Sequence, residues 1–141
     1  MIGAAMQDST DVRDALLNFY EKRTRGDAAS FDELVSTQPT AFVGTAPGEW
    51  FEDRERLRRG FGWAVRLLPG PNPRGWEEGP IGLGADEPIM TLPDGTVIRT
   101  RLTMLFRHEE GAWKVVGYHF SAGVPDEEVE ALQTRWLAGN G

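Results

Sequence analysis

Apolar positions recur with helical spacing in the first half of the chain and with strand-like alternation in the second. Val12, Leu16, Phe19 and Tyr20 fall at i, i+4, i+7 and i+8, one stripe of a 3.6-residue period, which predicts a helix over residues 11–25. Asp8, Ser9, Thr10 and Asp11 offer it N-caps, and Gly26 is a stop. Phe31, Leu34 and Val35 give a shorter stripe over 28–37, with Ser30 and Glu33 at capping-box spacing and Pro39 just past the end. Residues 40–45, centred on Phe42 and Val43, read as a short strand. A third helix is expected over 51–68, with Leu57, Phe61, Ala64, Val65 and Leu68 on its apolar side, although Gly60 and Gly62 each cost it about 1 kcal/mol relative to Ala.

Residues 69–75 hold three prolines and two glycines and form a loop. Beyond them the period changes from helical to alternating. Residues 76–83 and 87–92 are strand candidates, 93–95 is a turn, and 96–108 and 112–121 are two long strands joined as a hairpin by Glu109-Glu110-Gly111. A last helix fits 126–138, with Val129, Leu132, Trp136 and Leu137 on its apolar side. Taking Glu110-Gly111 as the turn sets His108 opposite Trp113 and Leu102 opposite His119. One hairpin face then carries Leu102, Met104, Phe106, Val115, Gly117, His119 and Ser121; being the more apolar, it is expected to be concave and covered by helices. The other carries Arg99, Arg101, Leu105, Arg107, Tyr118 and Phe120, a mixture of aromatics and cations suited to a partner subunit. The fold class expected from this order is α+β, with helices over one face of a curved antiparallel sheet.

Length and charge narrow the picture. A chain of 141 residues is one ordinary domain, with an ordered core expected over about 11–138. Fifteen Lys and Arg against 22 Asp and Glu give a net charge of −7, which disfavours a nucleic-acid partner. The chain has no cysteine, so disulfides and thiolate chemistry are excluded. No apolar run is long enough for a membrane partner, and the first six residues lack the pattern of a signal peptide, so the expected compartment is cytoplasmic.

Several short segments resemble the SnoaL-like branch of the nuclear transport factor 2-like superfamily. They are Phe42-Val43-Gly44-Thr45 with Gly48-Glu49-Trp50, Arg101-Leu102-Thr103, Gly111-Ala112-Trp113-Lys114-Val115-Val116, and His119-Phe120-Ser121-Ala122-Gly123-Val124-Pro125. The resemblance implies a cone: three N-terminal helices wrapping a curved antiparallel sheet, plus a short C-terminal helix, with a pocket inside and a homodimer through the sheet. It also implies departures. The general-base carboxylate of ketosteroid isomerases would fall near Gly44 or Thr45, and their oxyanion donor within Arg99-Thr100-Arg101-Leu102, where this chain has no acid. The pocket arginine of the calcium/calmodulin-dependent kinase association domain would fall on Met104.

The candidate catalytic residues are His119, placed mid-strand on the concave face, and Tyr20, whose hydroxyl closes the first helical stripe. His119 reads equally as a packed histidine bonded to a neighbour, and Tyr20 as a core aromatic. Trp63, Phe61, Leu102, Met104, Trp76 and Ser121 are the candidate ligand-binding residues, with Gly117 leaving room over the sheet. No metal or other cofactor is expected, because the chain has two histidines and no cysteine. Gly79-Pro80-Ile81-Gly82-Leu83-Gly84 has no helix after it and is not a phosphate loop. The expected function is binding of a small, mostly apolar or amphipathic molecule by a homodimeric cone. The alternatives are an acid–base enzyme of isomerase, cyclase or hydratase type using His119, and a protein-interaction domain, favoured if side chains fill the cone.

Overall fold

A computed structural model describes residues 5–139; the start and end of the chain, including the first residues on which the reading of the N-terminus rests, lie outside them. After a two-residue edge strand, β1 (Gln7–Asp8), comes helix α1 (Thr10–Arg25). Ser9 Oγ accepts from Val12 N–H at 3.1 Å, and Gly26 closes the helix in the left-handed region at φ 66°. Helix α2 (Ala28–Leu34) is shorter than the apolar stripe suggests and is capped by Asp27, whose carboxylate accepts from Ala29 N–H, so Ser30 lies inside the helix.

Strands β2 (Phe42–Val43) and β3 (Trp50–Phe51) precede α3 (Arg54–Phe61), which Asp53 caps. The expected helix over 51–68 therefore ends at Phe61. Past the two glycines the chain turns, and β4 (Arg66–Leu68) pairs with β7 (Ile89–Thr91). A strand ladder satisfies the backbone where a glycine-weakened helix would not. Strands β5 (Arg74–Glu78) and β6 (Ile81–Asp86) form a hairpin about Gly79-Pro80, where a single strand over 76–83 was expected. The long hairpin is β8 (Val97–Glu109) and β9 (Ala112–Ala122), followed by α4 (Asp126–Gly139).

The sheet runs β1-β5-β6-β8-β9-β2-β3, with β7 pairing the first residues of β8 and carrying β4. It is antiparallel except that β2 lies parallel to β9, so the sheet is mixed rather than purely antiparallel. It curls around α1, α2 and α3, while α4 buries no residue.

The hairpin register decides which side chains enter the cone. Near the turn it is as expected, with His108 opposite Trp113 and Phe106 opposite Val115. The next pair is Leu105 with Gly117, so Val116 has no partner on β8. This β-bulge adds one residue to β9, and a one-residue shift exchanges the faces of everything beyond it. Leu102 stands opposite Phe120, not His119, and His119 stands opposite Thr103. Tyr118 and Phe120 thus face the interior, and His119 is exposed on the outer face. Gly117 leaves no room for a ligand either: a Cβ there would collide with Thr40 Oγ1 and Ala41 O, so its smallness admits the approach of the chain leading into β2.

Candidate functional site

The interior of the cone divides into a filled half and a hollow half. In the filled half, Val12, Leu16 and Tyr20 of α1 share one core cluster with Leu102, Met104 and Phe106 of β8, all at most 2% exposed. A Cβ on Gly84 would lie 3.2 Å from the Phe106 ring and 3.4 Å from Leu16, so the contact depends on a bare backbone there. Tyr20 points into this packing, and its hydroxyl donates to Asp86 Oδ2 at 2.9 Å. The same oxygen accepts from Gly70 N–H at 3.0 Å, tying the proline-rich loop to the sheet. Burial first, then the adjacent carboxylate, push the Tyr20 phenol well above its ordinary pKa.

The hollow half encloses a cavity of about 550 Å³. Its wall is aromatic: Phe19 from α1, Phe31 from α2, Phe42 from β2, Phe61 from α3, and Tyr118 and Phe120 from β9. The rings meet edge to face, with Phe42 and Tyr118 4.9 Å apart, Tyr118 and Phe120 5.1 Å apart, and Phe31 and Phe61 5.5 Å apart. Leu57, Val65, Leu67, Met90 and Ile98 add to the apolar lining. From outside, the guanidinium groups of Arg54 and Arg58 lie over the Phe31 ring and both pair with Asp32, fastening α3 to α2. The mouth lies between the β2–β3 loop, the start of α3, Pro93 and Trp63, which is 59% exposed.

Four titratable groups line the cavity: Arg23, Glu49, Arg56 and Tyr118. Arg23 donates to the carbonyls of Gly60, Phe61 and Trp63 at 3.1, 3.1 and 2.8 Å, covering the C-terminal end of α3, where a cation complements the helix dipole. Burial lowers the pKa of Arg23, partly offset by the Tyr118 phenol, and a guanidinium stays charged at any physiological pH. Glu49 folds back across the β2–β3 loop, its Oε1 accepting from Ala46 N–H at 2.6 Å and packing over Gly44. Arg56 is exposed at the mouth, above the Phe51 ring. Tyr118 makes no side-chain hydrogen bond among the described residues, and burial pushes its hydroxyl up to about 12, with Arg23 pulling it down and Glu49 raising it. It is a neutral donor at physiological pH, with no acceptor among the described residues.

Of the eight candidate site residues, the structure brings two to the cavity, Phe61 and Trp63. Leu102 and Met104 face inward but are buried in the filled half. Tyr20 is there too, its hydroxyl spent on Asp86 rather than offered to a ligand. His119 and Ser121 are carried to the outer face by the bulge, His119 at the edge of a shallow groove with Thr103 and Leu105. Trp76 lies on β5, between β1 and β6 and under the Arg74 guanidinium, away from the cavity. The polar lining residues Tyr118, Arg23 and Glu49 are not among the candidate site residues, and strict alternation places Tyr118 on the outer face. The available signal was the doubled Val115-Val116 before Gly117, where two adjacent apolar residues break the alternation. Among the described residues no group of three or more His, Asp or Glu is arranged to hold a metal ion, and no helix is long and apolar enough to cross a membrane.

No protein-family model matches the chain, and no curated protein matches it in sequence. Its shape is matched closely by solved structures. An NTF2-like protein of unknown function from Pseudomonas putida KT2440 superposes with a TM-score of 0.69 at 12% identity, over 84% of this chain and 89% of that one. This is the nuclear transport factor 2-like fold. A Xanthomonas campestris protein, provisionally named as a calcium/calmodulin-dependent protein kinase II association domain, gives 0.68 at 17% identity, over 89% of this chain and 96% of the other. A Streptomyces avermitilis protein of the NTF2-like family, provisionally named a dehydratase, gives 0.66 at 17% identity, over 82% and 95%. At these identities the likeness is one of architecture, and this architecture hosts unrelated activities.

Proposed function

We propose that this NTF2-like domain binds a small, mostly apolar molecule inside its cone. The observation that carries the reading is the cavity of about 550 Å³, lined by eight aromatic residues and open at one end. Its size falls in the range of about 300–1,000 Å³ typical of small-molecule sites, and such sites are apolar with a few placed polar groups. Protein-interaction use was expected if side chains filled the cone; the cavity favours a ligand instead. The acid–base alternative loses His119, which the bulge puts outside, so an activity would have to run on the groups that line the cavity, Tyr118 and Glu49. A pairing of two copies through the outer sheet face remains part of the proposal, but on other residues than expected. Tyr118 and Phe120 are inside, leaving Leu105, at 36% exposure, among Arg99, Arg101 and His119. Light scattering that finds a monomer at tens of micromolar would remove that part.

The test of the binding reading is a melting-temperature screen of apolar and amphipathic small molecules, with native mass spectrometry of the purified protein. Compounds that raise the melting point and are displaced by bulk placed in the cavity support the reading. A screen in which no apolar compound binds overturns it.

A further inference from the structure

The polar groups of the hollow half are arranged for one kind of atom. Arg23 spends three hydrogen bonds on the carbonyls that end α3, so its donors are largely committed to the fold. Glu49 brings a carboxylate to the same lining, held by Ala46 N–H. Around Tyr118 one positive and one negative charge therefore stand together, and the remaining cation, Arg56, is out at the exposed mouth. Tyr118 itself is fixed by its neighbours: its ring is wedged between Phe42 and Phe120 and meets Phe19 edge-on at 6.2 Å. A ring held this way cannot swing its hydroxyl to a new partner, and no acceptor among the described residues meets that hydroxyl where it is. An apolar ligand that takes the place of solvent at this hydroxyl and brings no acceptor costs it the hydrogen bond it has in water.

We infer that the ligand of this cavity is an electroneutral, largely aromatic or alicyclic molecule carrying a carbonyl-type oxygen, and that the Tyr118 hydroxyl selects it by donating a hydrogen bond to that oxygen. The inference rests on the binding reading above and adds the chemistry of the ligand to it. A neutral acceptor replaces that hydrogen bond without adding net charge. A carboxylate placed at the same point would face Glu49, and like charges repel. An oxygen-free hydrocarbon would fill the volume but leave the hydroxyl unpaired. Sites built around one buried polar group discriminate mainly by penalising molecules that leave it unsatisfied. The high pKa of the phenol fits this role, since the group stays protonated throughout the physiological range.

Three probes of nearly equal size separate these cases: acetylnaphthalene, ethylnaphthalene and naphthoic acid, the last ionised at neutral pH. Each is titrated by calorimetry into the wild-type protein and Tyr118→Phe. The expected result is that acetylnaphthalene binds wild type at least about fivefold more tightly than ethylnaphthalene, the size of one net hydrogen bond. Tyr118→Phe, which keeps the ring and its edge contacts, should bring the two to within about twofold by weakening only the ketone. Ethylnaphthalene binding as well as the ketone to wild type, or a ketone preference that survives in Tyr118→Phe, overturns the inference while leaving the cavity reading intact. Naphthoate binding most tightly overturns it in favour of an anion site at the arginines. Binding of none of the three overturns the cavity reading itself. The wild-type comparison stands alone if the variant does not fold.

Discussion

Tyr20 and Tyr118 both face the interior of the cone, one from α1 and one from β9, and their surroundings diverge at the hydroxyl. Tyr20 is 1% exposed among Leu16, Met104 and Phe106, and it donates to Asp86 at 2.9 Å. Tyr118 stands in a ring of aromatics that walls the cavity and donates to no acceptor among the described residues. The first half of the cone is closed packing, in which the tyrosine hydroxyl is answered from within. The second stops short of closure and leaves a donor over. A domain of this size can sustain such a void because the packed half, with the long β8–β9 hairpin behind it, supplies the frame.

The largest effect that tests this division is in the filled half. Leu16→Ala removes a fully buried side chain from a site with no slack, and it should cost about 2–5 kcal/mol by thermal or urea unfolding. A loss under about 1 kcal/mol would mean that the filled half is loose as well. Tyr20→Phe should cost about 1–3 kcal/mol, because Asp86 keeps only the Gly70 N–H as a partner. Tyr118→Phe should change stability by less than about 0.5 kcal/mol at neutral pH, since no hydrogen bond within the protein is lost. Equal costs for the two tyrosines would erase the distinction between them.

That distinction was only half legible in the sequence. The stripe of Val12, Leu16, Phe19 and Tyr20, the caps at Ser9 and Gly26, and the Glu110-Gly111 turn follow from local rules, and they appear as expected. Phase along a strand is not local. A strict alternation counted from the turn is right as far as Val115 and reversed from Gly117 onward, because one bulge residue shifts the whole remainder. The choice of His119 as the interior residue fails there, and Tyr118 is missed for the same reason. Arg23 escaped notice for a different cause: a cation in the last turn of a helix reads as a complement to that helix's own dipole, whereas here it covers the end of α3. Only the tertiary fold brings those two helix ends together.

Adding bulk sharpens the comparison from the other side. Val65 lines the cavity and is partly buried, so Val65→Phe projects into empty space. Stability should change by less than about 1 kcal/mol, against the roughly 1–3 kcal/mol usual for overpacking a closed core. Acetylnaphthalene affinity should fall at least about tenfold if the occupied volume is what the ligand uses. A variant that binds as tightly as wild type would place the ligand elsewhere.

High pH provides a further test, with a definite sign. The ordinary phenol pKa of about 10 holds in the unfolded chain. Tyr118 is pushed up to about 12 in the folded protein, and Tyr20 is also raised. A folded pKa above the unfolded one means that the folded state holds the proton more tightly. The contribution is complete below about pH 10 and is lost as pH rises through about 12. Tyrosinate absorbance should therefore not develop near pH 10 while the protein is folded, and Tyr118→Phe should make the alkaline fall in melting temperature shallower. Normal titration of both phenols near pH 10 would show that neither is sheltered.

The smallest effect is expected at α4. Its fourteen residues bury no side chain; Trp136 is 47% exposed and Leu137 72%. Its cohesion is local, with Asp126, Glu127 and Glu128 in the first turn, where negative charge complements the helix dipole. A helix of that length is marginal on its own in water, so nothing in the cone depends on its being formed. Ending the chain after Val124 should therefore move the unfolding free energy by less than about 1 kcal/mol and leave the affinity for acetylnaphthalene unchanged. Both halves of the cone should be indifferent to the cut, because the residues that fill the one and line the other all precede it. A drop of several kcal/mol would mean that the apolar side of α4, Val129, Leu132 and Trp136, packs against a surface in solution, and the concentration dependence of the loss would tell whether that surface belongs to the same chain or to a second copy.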